Sequence, residues 1–134
     1  MSNLVSWKKI VTLAAALFFS EALVGFINGG WVTGSDVDAT MQRWAISTLL
    51  SLGFSTLLFS VMAARQAHRQ FLHAVLALLL NFVFSLALGA ILPAWLTEMP
   101  LILVALQWFT LIVGLIIGTS LGCHVRARSV RADA

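Results

Sequence analysis

Four apolar runs, each about as long as a bilayer is thick, constrain this chain more than anything else in it: residues 10–28, 44–64, 71–92 and 101–122. A helix needs about 20 predominantly apolar residues to cross the hydrocarbon core, so each run reads as a spanning helix. Only 10% of the residues are charged and 60% are hydrophobic, against about 25% charged in an ordinary soluble domain. That deficit leaves too little polar surface to face water. The expectation is an all-α polytopic membrane protein, residues 1–134 forming a single domain of four transmembrane helices in an antiparallel bundle. The spans use up most of the length, so a second, soluble domain has no room.

Lys8-Lys9 before the first apolar run also resembles the start of a signal peptide. The run is longer than the ~7–15 residues of such a segment's core, contains Glu21, and is followed by no A-x-A-like cleavage site. It reads as a retained first helix. Asn28-Gly29-Gly30 stops it, since glycine accepts the left-handed conformation at a helix C-terminus. Ser35-x-x-Asp38 resembles a capping box and predicts a second helix starting near Asp36. The connector Arg65–Gln70 is short enough to force a helical hairpin. Pro93 closes the third span, and a basic tail with Arg126, Arg128 and Arg131 follows the fourth. A faint echo at an offset of 64, matching Phe18, Gly25 and Trp31 with Phe82, Gly89 and Trp95, fits either a duplicated hairpin or the preference of Gly and Trp for the same membrane depth in any helix.

Orientation follows from the basic residues. Seven of the 8 Lys and Arg (Lys8, Lys9, Arg65, Arg69, Arg126, Arg128, Arg131) fall in the two tails and the middle connector, leaving Arg43 in the other loops. The positive-inside rule then puts both termini in the cytoplasm. Trp31, Trp44 and Trp95 gather at the opposite interface, as aromatic belts do. The net charge of +3 does not point to nucleic acid, because the cations sit at helix ends and form no patch or stripe.

Inside the bundle, residues spaced i, i+3/i+4 and i+7 share a helix face. The polar and small stripes are Ala14, Glu21, Gly25 and Asn28; Ser47, Ser51 and Ser55; His73, Ala77, Asn81, Ser85 and Gly89; and Thr110, Gly114, Gly118 and Gly122, with Gln107 adjoining. The glycine row is the small-xxx-small pattern that lets helix backbones approach, within the bundle or between subunits. At ~1.5 Å rise per residue, Asn81 and Thr110 fall near the midplane, with Glu21 roughly 3 Å and Gln107 roughly 6 Å outward. Ser51 belongs to the same layer. A central acid costs roughly 2.5–3.5 kcal/mol on insertion scales, while the Leu, Ile, Val and Phe residues of 10–28 return roughly 3–6 kcal/mol. The helix inserts with its carboxylate aboard. No Lys or Arg lies at that depth, and desolvation disfavours the charged form, so Glu21 is expected to carry its proton at neutral pH. An intramembrane carboxylate is a functional candidate by default; the alternative role is hydrogen-bonding glue.

No catalytic constellation, cofactor site or metal site is expected. There is no P-loop, no G-x-G-x-x-G and no H-E-x-x-H. The single Cys123 rules out an intrachain disulfide and a CxxC site. His68, His73, Cys123 and His124 lie near one interface, but their spacings match no zinc pattern and Arg65, Arg69 and Arg126 repel a cation there. A haem between two histidines on facing helices is disfavoured on the same ground.

Ser20-Glu21-Ala22-Leu23-Val24-Gly25, in the first of four short helices, resembles the small multidrug resistance transporters. The resemblance covers only Glu21 and the glycine row of the fourth span. It implies a glutamate that exchanges protons for cationic drugs and a dimer made through the fourth helix. The chain departs from that family in having no tyrosine for an aromatic cation pocket, a strong charge bias and a longer first outer loop.

Two functions fit. The first is a non-enzymatic accessory or immunity-type protein of a bacterial inner membrane, binding another membrane protein or itself through the fourth helix. The second is a small proton- or cation-coupled transporter or channel centred on Glu21. The charge count makes a first prediction: reporters fused after Ala134 or within Arg65–Gln70 read cytoplasmic, and one inserted near Gly34 reads external. An external signal from the C-terminal fusion contradicts the topology.

Overall fold

A computed structural model of the chain describes residues 6–29, 37–66, 69–91 and 101–132. They form four helices: α1 (Trp7–Gly29), α2 (Val37–Arg65), α3 (Gln70–Ile91) and α4 (Leu101–Ala132). Each is long and apolar enough to cross a membrane, over Trp7–Ile27, Met41–Arg65, Gln70–Ile91 and Val104–Arg131. No strand occurs among the described residues. The protein is an all-helical, multi-pass membrane bundle.

Local chemistry sets most of the helix ends. The Ser6 carbonyl accepts from the amides of Lys9 (3.0 Å) and Ile10 (3.2 Å), which makes Ser6 the N-cap of α1. The helix runs through Gly29, where the Asn-Gly-Gly signal predicts its end. The described part of α2 is Val37–Arg65; Ser35 and Asp36, where the capping box and the helix start are expected, lie outside the described residues. At the hairpin, Arg69 takes a left-handed φ of 54°, and its carbonyl accepts the His73 amide at 3.1 Å to start α3. Side chains complete this turn. The Gln70 amide donates to the Gln66 carbonyl at 2.8 Å, and its own oxygen accepts from Cys123 Sγ at 3.1 Å.

One boundary differs from expectation. The fourth helix does not give way to a tail after Gly122 but continues to Ala132. Residues 123–132 contain no Pro or Gly and include three Arg and two Ala, which are strong helix formers. At ~1.5 Å per residue a 32-residue helix is roughly 48 Å long, well beyond a hydrocarbon core of about 30 Å.

Helices consecutive in the chain run antiparallel, yet much of the packing joins parallel ones. α2 packs most extensively on α4, and α1 lies against both α2 and α3. Going round the bundle, the order is α1, α2, α4, α3. Between α1 and α3, Ser6 meets His73 and Phe18 stacks edge-on with Phe84 at 6.2 Å. Between α3 and α4, Gln70 meets Cys123, and Phe82 stacks edge-on with Trp108 at 4.9 Å. The centre holds Ile10, Leu13, Ala14 and Leu17 of α1, Phe59 of α2, Ala74 and Ala77 of α3, and Leu115 of α4. Outward-facing Leu, Ile, Val and Phe cover every helix and face lipid.

The α2–α4 seam is made of backbone. A Cβ added at Gly118 would lie 2.9 Å from Phe59 Cβ and press on the Thr56 carbonyl oxygen. One at Gly122 would lie 2.7 Å from Ala63 Cβ and press on the Ser60 carbonyl oxygen. One at Gly114 would meet the Ser55 side chain. Of the two packings open to the glycine row, within the bundle or between subunits, the structure has the first: α2 lies against that face. Gly25, by contrast, is not on the interior stripe: it is exposed, and nothing lies within 4 Å of an added Cβ. The buried position of α1 at this level is Val24, one residue and about 100° away, and the side chain of Asn28, the last member of the expected stripe, lies outside the described residues. Val fills the core there, and Gly cannot.

Gly118→Leu should lower the thermal midpoint in detergent and separate α2 from α4. Gly25→Ala should leave packing intact and add roughly 0.5–1 kcal/mol through helix propensity alone. An unchanged midpoint for Gly118→Leu contradicts the seam.

Candidate functional site

Glu21 is the only Asp or Glu in the four spans. It lies three residues before Val24 on the inward-leaning side of α1, half-buried against α2. Ser51, fully buried on α2, donates its hydroxyl to Glu21 Oε1. Gln107 of α4 donates its amide to Ser51 Oγ at 3.1 Å. Three helices thus meet in one directed chain, Gln107 to Ser51 to Glu21.

The direction of that chain has a chemical consequence. A serine hydroxyl has one proton and two lone pairs. The Gln107 N–H occupies a lone pair, and the proton points at Glu21 Oε1. That oxygen is therefore an acceptor. The second carboxyl oxygen, Oε2, is buried and has no hydrogen-bond partner. The carboxyl group thus has one oxygen held by Ser51 and one left without a partner.

The other members of the expected polar layer behave differently. Thr110 is buried, but its hydroxyl donates to the Leu106 carbonyl of its own helix at 2.9 Å. Asn81 is buried on α3 with its side-chain oxygen unpartnered, and no hydrogen bond joins it to Glu21. Of the five residues Glu21, Ser51, Asn81, Gln107 and Thr110, the structure links the first, second and fourth. Gly114, Gly118 and Gly122 hold α4 in the register that delivers Gln107.

A second polar junction lies at the basic end, and the sequence pattern hid most of it. Ser6 looks like part of an amphipathic tail, yet its amide donates to His73 Nε2 at 3.1 Å. Gln70 looks like a connector residue, yet it ties the α2–α3 turn to Cys123. The available signal was a Ser just before a helical run, an N-cap pattern. Among the described residues, no three His, Cys, Asp or Glu gather as metal ligands.

Residues 10–132 match the model of a family described as a domain of unknown function (DUF8051). No curated protein and no solved structure matches the chain.

The geometry separates the two hydroxyls of the layer. Ser51→Ala removes the donor to Glu21 and the acceptor of Gln107, and should cost roughly 0.6–2 kcal/mol in detergent unfolding. Thr110→Ala loses only a bond within its own helix and should cost distinctly less. Equal costs would mean that Ser51 is not the junction.

Proposed function

We propose that this chain, which belongs to the DUF8051 family, is a small proton- or cation-coupled transporter or channel with Glu21 as its proton site. The observation that carries the reading is the division of labour within one carboxyl group. Oε1 is anchored by Ser51, while Oε2 is buried without a partner. A residue serving only as glue gains from satisfying both oxygens, because an unpaired buried polar group costs free energy. Leaving one open suits a group that must take up and release a proton. The chemistry asked of the protein is binding and release, with no bond made or broken in a substrate, so no enzyme activity is proposed.

The proposed setting is a bacterial inner membrane with both termini in the cytoplasm, supported by the gathering of seven Lys and Arg at one end of the bundle. The exchange of protons for cations implied by the likeness to small multidrug resistance transporters agrees with this reading. The dimer implied by the same likeness does not, because its glycine face is occupied by α2.

A second reading, an accessory subunit for another membrane protein, is supported by a different surface. The outer side of α2 carries Gly53, Thr56 and Ser60 in a shallow open groove of about 430 Å³, flanked by Leu49, Leu57 and Leu121. Small residues on a lipid-facing helix allow a partner helix to approach.

Glu21→Gln decides between the two. Gln accepts from Ser51 as Glu does but cannot titrate. In reconstituted vesicles, proton-coupled flux should be lost in Glu21→Gln while folding is kept. A folded Glu21→Gln protein with full flux, or with an intact growth phenotype, overturns the transport reading and leaves the accessory one.

A further inference from the structure

The junction at the basic end is built around a titratable ring that plays no part in the Glu21 chain. His73 is buried, at 3% exposure, in the first turn of α3. A backbone amide can only donate, so Nε2, which faces the Ser6 N–H at 3.1 Å, must be the accepting nitrogen. The ring proton then sits on Nδ1 and is donated to the Arg69 carbonyl at 3.0 Å. The hydrogen bonds thus define a neutral ring of one tautomer. It joins the N-cap of α1 to the start of α3, since Ser6 caps α1 and the Arg69 carbonyl also accepts the His73 amide.

We propose that His73 is a second proton-binding site, and that its protonation releases the N-terminal end of α1 from α3. A proton on Nε2 turns the acceptor into a donor facing a donor. The Ser6 amide loses its partner, and a positive charge is placed beside the N-termini of two helices, whose dipole ends are themselves positive. The neighbours offer no relief. Among the described residues, the charged and titratable groups at this end are Lys8 and Lys9 on α1, Arg65 on α2, Arg69 in the turn, and Cys123, His124, Arg126, Arg128 and Arg131 on α4. None of them is a carboxylate, and among the described residues none lies at this end.

The test is amide hydrogen exchange on the full chain in lipid nanodiscs at about pH 7.5 and about pH 5, corrected for intrinsic exchange, either side of the usual histidine range. Protection of the first turn of α1, Ser6 to Ile10, should fall about tenfold at the lower pH, the order expected for loss of one net hydrogen bond. His73→Gln places an amide oxygen where Nε2 sits and cannot titrate, so its protection should stay constant. The same fall should appear in a Glu21→Gln background, which separates this site from the first. Should His73→Gln fail to fold, imidazole ¹⁵N shifts of the wild-type protein decide: Nδ1–H tautomer at the higher pH, imidazolium at the lower. Unchanged protection in the wild type, the same fall in His73→Gln, or a ring still neutral at the lower pH each overturns the proposal.

Discussion

The close approach of α2 and α4 is the contact on which the rest of the bundle depends. Lipid tails are as apolar as leucine, so hydrophobic burial does not pull spanning helices together, and close packing of small residues must do so. Gly114, Gly118 and Gly122 let α4 lie directly on the Thr56 and Ser60 carbonyls of α2. That contact is stiff, because a shift of one residue would turn α4 by about 100° and set Leu115 or Thr119 against α2's backbone. The register it enforces carries Gln107 to Ser51, and Ser51 in turn holds Glu21. The polar site therefore follows from an apolar seam.

α1 is held differently. It packs on α2 and α3 through Ile10, Leu13, Ala14 and Leu17, and is tied by two hydrogen bonds, Ser6 to His73 at its N-terminal end and Glu21 to Ser51 just past its middle. Both ties involve a side chain that can gain or lose a proton. α2 and α4 form a rigid pair built on backbone, while α1 is the helix whose attachment chemistry can change.

Much of the fold was legible in the sequence because a bilayer imposes length and composition so strictly. Four runs of about 20 apolar residues leave few alternatives, and the glycine row announced a close helix contact. The depth of Glu21, Ser51 and Gln107 was also readable from the helical rise, and it brings these three together but not Asn81 or Thr110. Periodicity could not tell which hydroxyl would serve. Thr110 sits at a suitable depth, but a threonine on a helix can satisfy itself on its own i−4 carbonyl, and it does so. Gly25 matched the stripe by spacing and was displaced by Val24, because side-chain volume decides which neighbouring position fills a core. The extension of α4 to Ala132 was hidden by reading charge as a tail signal, although Arg is a good helix former. The His73 junction was invisible for a plainer reason: it depends on a backbone amide brought from 67 residues away.

The claim that Glu21 is an anchored, titrating carboxyl is tested most directly by infrared difference spectroscopy of the membrane-reconstituted protein across a pH series. The account predicts a protonated-carboxyl carbonyl band that varies with pH, disappears in Glu21→Gln, and shifts in Ser51→Ala because its hydrogen-bond donor is gone. A carboxyl band assigned to Glu21 that ignores pH, or one that ignores the loss of Ser51, would contradict it.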